Sequence, residues 1–315
     1  MQERFVGETI RQKRLELGLT QEELCAGLCD PSTLSRIETG KQTPSRNLLN
    51  ALFQRLGQPY DRYYTILTSR EAEADMLRSE IDSGIVRFQQ SSGEEKHQVR
   101  LNALEQLDQL ESIMEDDDNI TSQYILAARA ILGKESGSYD LEVRLDMLLR
   151  AIRLTVPQFD LETLDRHLYS FDEAEVISRI AGTYSDAGQH EKAAGIFNQL
   201  LTYMREHYQN VTYPSRHIVP VILNYARELC LMGRYREALE TAAQGQKTCL
   251  GYGYCLSLPD LLAVMAECRY AMGEAEQSRA LYLQSYYLFE ETGNAYGSAQ
   301  VKAEACQRFG PEFPL

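Results

Sequence analysis

Residues 20–40 read TQEELCAGLCDPSTLSRIETG, and two helix starts and one stop are legible in them. Thr20 is an N-cap residue, and Glu23 three positions later completes a capping box. A short helix from Gln21 to about Gly27 follows, with Leu24 and Leu28 turned inward. Asp30 or Ser32 caps the next helix, and Pro31 suits its first turn because proline needs no N–H partner there. Leu34 and Ile37 form its inward face, and Gly40 ends it. The pattern is two short helices joined by a tight turn at Cys29-Asp30.

The flanks extend this pattern. Val6 to Leu17 reads as a preceding helix, with Ile10, Leu15 and Leu17 partly inward and Gly18 as its stop. Thr43-Pro44 repeats the cap-then-proline signal for a fourth helix. Leu48, Leu49, Leu52, Phe53 and Leu56 are its core, and Gly57 ends it. Tyr60 to Leu67 reads as a fifth.

The outward face of the third helix carries Ser32, Thr33, Ser35 and Arg36. A guanidinium reaches guanine O6 and N7 with two hydrogen bonds, and small hydroxyl residues let a helix lie deep in the major groove. Gln21 opens the second helix, where an amide and a helix N-terminus can both hold a phosphate. Lys41 and Arg46 flank the third helix and suit the opposite backbone. A solvated polar helix face has the same composition, so that face alone does not decide the matter.

The whole-chain charge, taken alone, argues against DNA. The 315 residues carry a formal net charge of -14, with 43% hydrophobic and 25% charged side chains. Residues 1–69, however, hold nine Lys/Arg against eight Asp/Glu, whereas residues 70–315 hold 23 against 38. The acidity lies in the long body and disfavours DNA contact there only. Strand signals are nearly absent and apolar residues recur at helical spacing, so the fold is read as all-α. No apolar run approaches the roughly 18–20 residues that span a bilayer. The polar N-terminus shows no signal peptide. Seven cysteines without framework spacing fit a reducing cytoplasm.

The order of these signals carries a resemblance. RLELGLTQEEL followed by LSRIETGKQTPS is very similar to the XRE (Cro/repressor-type) helix-turn-helix domain, through Arg14, Leu15, Gly18, Thr20, Gln21, Leu24, Ser35, Arg36, Ile37, Glu38, Gly40, Lys41 and Pro44. The resemblance covers about 65 residues. It implies an ion pair between Arg14 and Glu38 that pins the first helix to the end of the recognition helix, neither residue reading bases. The chain departs from the phage repressors in one respect. Gln21 to Glu38 is one residue shorter, and Cys29 stands where they often have a turn glycine. The shortened turn resembles the RRNPP group (PlcR- and Rgg-like), peptide-sensing regulators in which an XRE domain precedes TPR-type repeats. Pro31 stands where relatives can carry a base-contacting polar side chain, so the operator sequence does not transfer.

The body contains internal repeats. IAGTYSDAGQHEKAAGIFNQLL, NYARELCLMGRYREALETA and VMAECRYAMGEAEQSRALY are centred on Gly188, Gly233 and Gly273. Small residues (Ala181, Ala193, Ala226, Ala238, Ala266) allow two helices to approach, the glycine turns the chain, and Phe197 or Tyr282 fills the groove between them. This resembles the tetratricopeptide repeat of about 34 residues. The glycines here are 45 and 40 residues apart, and Ser278 stands where the pattern wants alanine. By periodicity alone, residues 70–90 with 95–115 form an earlier hairpin broken at Ser91-Ser92-Gly93. Residues 120–133 with 140–155 form another, broken at Ser136-Gly137-Ser138, and residues 295–309 a capping helix. About five degenerate hairpins would stack into a right-handed superhelix with a groove lined by the first helix of each pair.

Counting back from the turn glycines places Asn224, Arg227, Ser178, Arg179, Asp260, Glu267 and Tyr270 on that groove surface. An asparagine amide can donate to one peptide carbonyl and accept from one N–H, whatever the ligand's sequence. The resemblance implies groove asparagines used in this way, and the alternative is an asparagine bonded within its own helix. Arg179 and Arg227 can grip a carboxylate bidentately, or form salt bridges with Glu175, Glu228 or Glu267.

No catalytic or metal constellation is present in the sequence. Glu115 to Asn119 lacks the glycine and glutamate of a calcium loop. There is no zinc-type cysteine pairing, HExxH, GxSxG, GxGxxG or phosphate-binding loop. The expectation is a cytoplasmic, non-enzymatic transcriptional regulator without a cofactor or metal. Residues 1–67 would bind palindromic double-stranded operator DNA as a homodimer, and residues 68–315 would bind a short linear signalling peptide and dimerise. The alternatives are a regulator whose repeats bind a protein partner, and a repeat adaptor that does not bind DNA.

Overall fold

The computed structural model describes residues 6–58, 69–115, 117–133, 139–208 and 215–313. Among these the chain is all-α, with fifteen α-helices and one 3-10 turn. The expected fifth helix at Tyr60–Leu67, the expected boundary at residues 67 and 68, and the break at Ser136-Gly137-Ser138 lie outside the described residues. The chain forms two compact units. The first holds residues 1–180 and 203–212, the second residues 181–202 and 213–315.

The first unit begins with α1 (Val6–Glu16), α2 (Gln21–Cys25), α3 (Pro31–Glu38) and α4 (Arg46–Arg55). The capping box at Thr20 forms in both directions, from Glu23 N to the Thr20 hydroxyl and from Thr20 N to the Glu23 carboxylate. Asp30 precedes α3 as its N-cap but uses its backbone carbonyl, not its side chain. Ile10, Leu24, Leu34, Ile37, Leu49, Leu52, Phe53 and Leu56 make one shared core, the pattern expected when each short helix contributes a single apolar stripe.

Two local expectations are corrected. Leu15 and Leu17 are 58% and 51% exposed. The inward face of α1 is Gly7, Ile10 and Arg14. Arg14 takes the i+4 position from Ile10, which turns Leu15 about 100° away from the core. The fourth helix is capped by Ser45, not Thr43. The Ser45 hydroxyl accepts from Leu48 N at 3.3 Å, and the buried Pro44 lies before the cap.

Helices α5 (Ser69–Gln90) and α6 (Gly93–Ile113) form the first hairpin, and α7 (Asn119–Leu132) and α8 (Leu141–Thr155) the second. The first hairpin packs Ile81, Ile85 and Phe88 against Val99, Ala103 and Leu107, with Ile125 and Leu132 of α7 closing the layer.

α9 (Phe171–Asp186) and α10 (His190–His207) run through both units. The second unit continues with α11 (Ser215–Leu231), α12 (Tyr235–Tyr252), α13 (Leu258–Ala271), α14 (Ala275–Glu291) and α15 (Ala295–Phe309). The three turn glycines share one geometry. Gly188, Gly233 and Gly273 have φ of 72°, 74° and 83°. In the third, Gly273 N donates to Tyr270 O and Glu274 N to Arg269 O, both at 2.9 Å. This is the Schellman closure, which needs a left-handed residue at its centre.

Ala226, Ala238, Ala266 and Tyr282 are fully buried, as the repeat pattern requires. Ser278, at the position where alanine is the rule, is also fully buried, and its hydroxyl has no hydrogen-bond partner among the described residues. Ser285 on the same helix is equally buried but donates to Pro259 O at 2.7 Å. An orphaned buried hydroxyl costs about 1–3 kcal/mol. Ser278→Ala is therefore expected to raise unfolding stability by about 1 kcal/mol, read as a shift of the urea midpoint at unchanged slope. A lower midpoint would mean that the hydroxyl is bonded in solution.

Candidate nucleic-acid interface and ligand face

The support beneath α3 is a buried bidentate ion pair. Arg14 Nε and Nη2 donate to the two oxygens of Glu38 at 2.6 and 2.8 Å, and Nη1 donates to Leu19 O at 2.8 Å. The bonded Glu38 carboxylate pushes the Arg14 pKa further up, against the opposing effect of burial. The pair closes α1 onto the end of α3 and buries both side chains.

Gln21 joins this network. Its amide nitrogen donates to Glu38 Oε2 at 2.8 Å. An amide nitrogen carries two protons, so one remains for a phosphate oxygen. Ser32, Arg36 and Lys41 are exposed, and Thr33 and Ser35 are half-buried. Arg36 Nη2 donates to Thr33 Oγ1 at 3.2 Å, a weak intrahelical bond that parks the guanidinium on the outward face. The structure thus brings Ser32, Thr33, Ser35 and Arg36 onto one accessible surface, with Lys41 just beyond its C-terminus. Arg46 lies elsewhere in charge terms, because it pairs with Asp75 of α5 at 2.7 Å. A phosphate contact by Arg46 requires exchange of that exposed partner.

The expected groove residues divide between the two units. Ser178 and Arg179 stand on the part of α9 that belongs to the first, where Arg179 pairs with Glu175 at 3.0 Å. Asn224, Arg227, Glu267 and Tyr270 belong to the second. There Arg227 of α11 pairs with Asp260 of α13. Glu267 of α13 accepts from Arg308 of α15 at 2.6 Å and from the Tyr282 hydroxyl at 2.9 Å. Tyr270 packs edge-on against Phe309 and lies under the Arg308 guanidinium. Glu304 adds a further carboxyl near this set. Its pKa is raised first by burial and then by the neighbouring Glu267. Asn224 is half-buried, and its amide makes no hydrogen bond among the described residues.

Sequence reasoning counted Asp260 onto this surface from Gly273 but did not assign Glu304 and Arg308 to it. α15 was legible as a cap, but not which of its charged positions faces α13. Helical spacing gives a periodicity, whereas the facing side depends on how two helices pack.

Residues 10–62 match the family model described as helix-turn-helix. No curated protein matches the chain. Among solved structures, PlcR of Bacillus thuringiensis in complex with the peptide PapR7 and DNA is similar at a TM-score of 0.62 and 18% identity, over 94% of this chain and 98% of that one. The apo form of PlcR is similar at 0.57 and 18%, over 94% and 97%. ComR of S. thermophilus, in complex with DNA and its signalling peptide ComS, is similar at 0.52 and 13%, over 96% and 98%. The resemblance read from the sequence holds at the level of fold: an XRE-type helix-turn-helix domain followed by TPR-like helical repeats, as in these RRNPP-type regulators.

Proposed function

We propose that this protein is a sequence-specific transcriptional regulator that binds operator DNA as a homodimer and is controlled by a short linear peptide held by its repeats. The observation that carries the DNA half is the accessible surface of Ser32, Thr33, Ser35 and Arg36, held on a rigid support by the buried Arg14–Glu38 pair. Arg36 would read a base, while Lys41 and the second amide proton of Gln21 would hold phosphates. A single small domain binds weakly, so two copies on a two-fold half-site pair are expected, and the protein works in the cytoplasm where the DNA is. Residues 1–67 serve as the DNA-binding part, and residues 68–315 as the peptide-binding and dimerisation part.

The peptide half rests on Asn224, with Arg227, Arg179, Ser178, Glu267 and Tyr270 as further candidates. The arginines and Glu267 already have charged partners. Recognition of the peptide backbone by the Asn224 amide, unbonded among the described residues, therefore asks less reorganisation than recognition by charge. A peptide that binds one conformation of the repeats better than another would shift DNA affinity by that difference.

Two experiments test this reading. Selection from a random duplex library should enrich a symmetric pair of half-sites, and failure to enrich any duplex leaves an adaptor that does not bind DNA. Native mass spectrometry of the protein purified from its own cells should show a bound peptide of roughly 5–10 residues. A protein partner in its place overturns the peptide half. Asn224→Ala should weaken that peptide by about tenfold, the worth of one or two hydrogen bonds, without changing peptide-free DNA binding. Unchanged peptide affinity removes Asn224 from the site.

A further inference from the structure

One guanidinium in the helix-turn-helix domain takes no part in the DNA-facing surface. Arg55, in the last turn of α4, is 2% exposed. Its Nη1 donates to Leu24 O at 3.1 Å and Ala26 O at 2.8 Å. These are carbonyls at the end of α2, where the chain turns toward the recognition helix. Its Nη2 donates to Thr155 O at 2.8 Å and Glu173 Oε1 at 2.6 Å, and its Nε to Glu173 Oε2 at 3.4 Å. Thr155 ends α8 and Glu173 begins α9. One planar group therefore bonds the helix-turn-helix turn and the α8–α9 junction together.

The surroundings make this joint stiff. Glu173 is fully buried and also accepts Ser170 N at 2.6 Å. Gln54 Oε1 accepts Phe171 N at 2.7 Å, and Asn119 Nδ2 donates to Gly27 O at 2.9 Å. Gly27 leaves no room for a side chain, because a Cβ there would lie 2.2 Å from Thr155 O. An apolar contact can slide by a fraction of an ångström at little cost. A set of charge-assisted bonds with fixed directions cannot.

We propose that Arg55 is a positioning residue. It couples the recognition helix to the α8–α9 junction, so that a change in how these two helices pack is transmitted to the placement of the DNA-reading surface. The proposal goes beyond peptide control and rests, for its consequence on DNA, on the DNA-binding reading above.

The test uses the full chain and three variants, Arg55→Met, Arg55→Lys and Glu173→Gln. Hydrogen exchange is measured first. Arg55→Met should speed exchange by about tenfold or more at residues 24–28 and at residues 170–174 together, while Leu34 to Glu38 stay protected. Arg55→Lys restores the charge but not the fork, and should recover only part of the protection. Acceleration of one segment without the other overturns the coupling. Should Arg55→Met also expose Leu34 to Glu38, Glu173→Gln replaces it, because it keeps an acceptor and a similar volume. The same paired acceleration, smaller in size, is expected.

Duplexes selected by the wild type are then re-spaced between their half-sites. The wild type should discriminate by about tenfold or more among spacings. The loosened variant should flatten this preference to within about twofold, with affinity for a single half-site unchanged within the same factor. An equal loss at every spacing marks Arg55 as merely structural and overturns the proposal. Where the wild type selects no duplex, the DNA reading fails, and the paired exchange result alone decides whether the joint exists.

Discussion

Replacing Glu38 with alanine is expected to lower the stability of the helix-turn-helix domain by about 3–5 kcal/mol, the cost of leaving a buried charge without its partner. The Arg14 and Glu38 side chains are only 9% and 2% exposed. The Glu38 carboxylate receives three bonds, two from Arg14 and one from Gln21. Its removal leaves the nearly buried guanidinium bonded, among the described residues, to the Leu19 carbonyl alone. The double replacement Arg14→Met with Glu38→Leu should recover most of the loss, since apolar groups of similar volume often substitute for a buried pair at little net cost. Urea unfolding followed by circular dichroism measures both. A loss below about 1 kcal/mol for Glu38→Ala would show that the pair is solvated and does not hold α1 to α3.

The second large effect is on DNA and not on stability. Arg36→Ala is expected to weaken binding to the selected operator by about 1–3 kcal/mol, or roughly 5- to 150-fold, and to relax the base preference at one position of each half-site. The unfolding midpoint should stay nearly constant, because Arg36 is exposed and its one side-chain bond among the described residues, to Thr33, is weak in geometry. Titration of labelled duplexes varied one base pair at a time separates the two possible roles. A base reader loses discrimination at one position. A phosphate holder loses affinity uniformly and shows a shallower salt dependence. Loss of folding in this variant would instead make Arg36 part of the core.

The two predictions differ in how far their residues could be read from sequence. The polar face of α3 follows from the spacing of Leu34 and Ile37, which turns Ser32, Thr33, Ser35 and Arg36 the other way. The Arg14–Glu38 pair spans 24 positions and entered only through the resemblance to a known domain. Arg55 and Glu173 are 118 positions apart, and no local signal links them. Arg46, placed by sequence beside the third helix, pairs with Asp75 across 29 positions, a partner that no local signal names. The inward placing of Leu15 and Leu17 failed for a related reason. Hydrophobicity alone favours burial, but an arginine with a buried acceptor claimed the inward position of that turn.

The sequence by itself determined the succession of helices. Thr20 with Glu23 and the glycines at 40, 188, 233 and 273 act through bonds between residues three to five apart. Such bonds form before and independently of any packing. The sequence likewise determined that the third helix shows hydroxyls and a guanidinium to the outside. Tertiary structure alone decided which charges meet: Arg55 with Glu173 and the α2 carbonyls, Arg227 with Asp260, Arg308 with Glu267. Long charged side chains can turn to several partners, and packing of distant helices selects among them. Among the described residues that selection left Ser278 without a partner and the Asn224 amide unbonded, and it tied the turn in residues 20–40 to the repeats through Arg55.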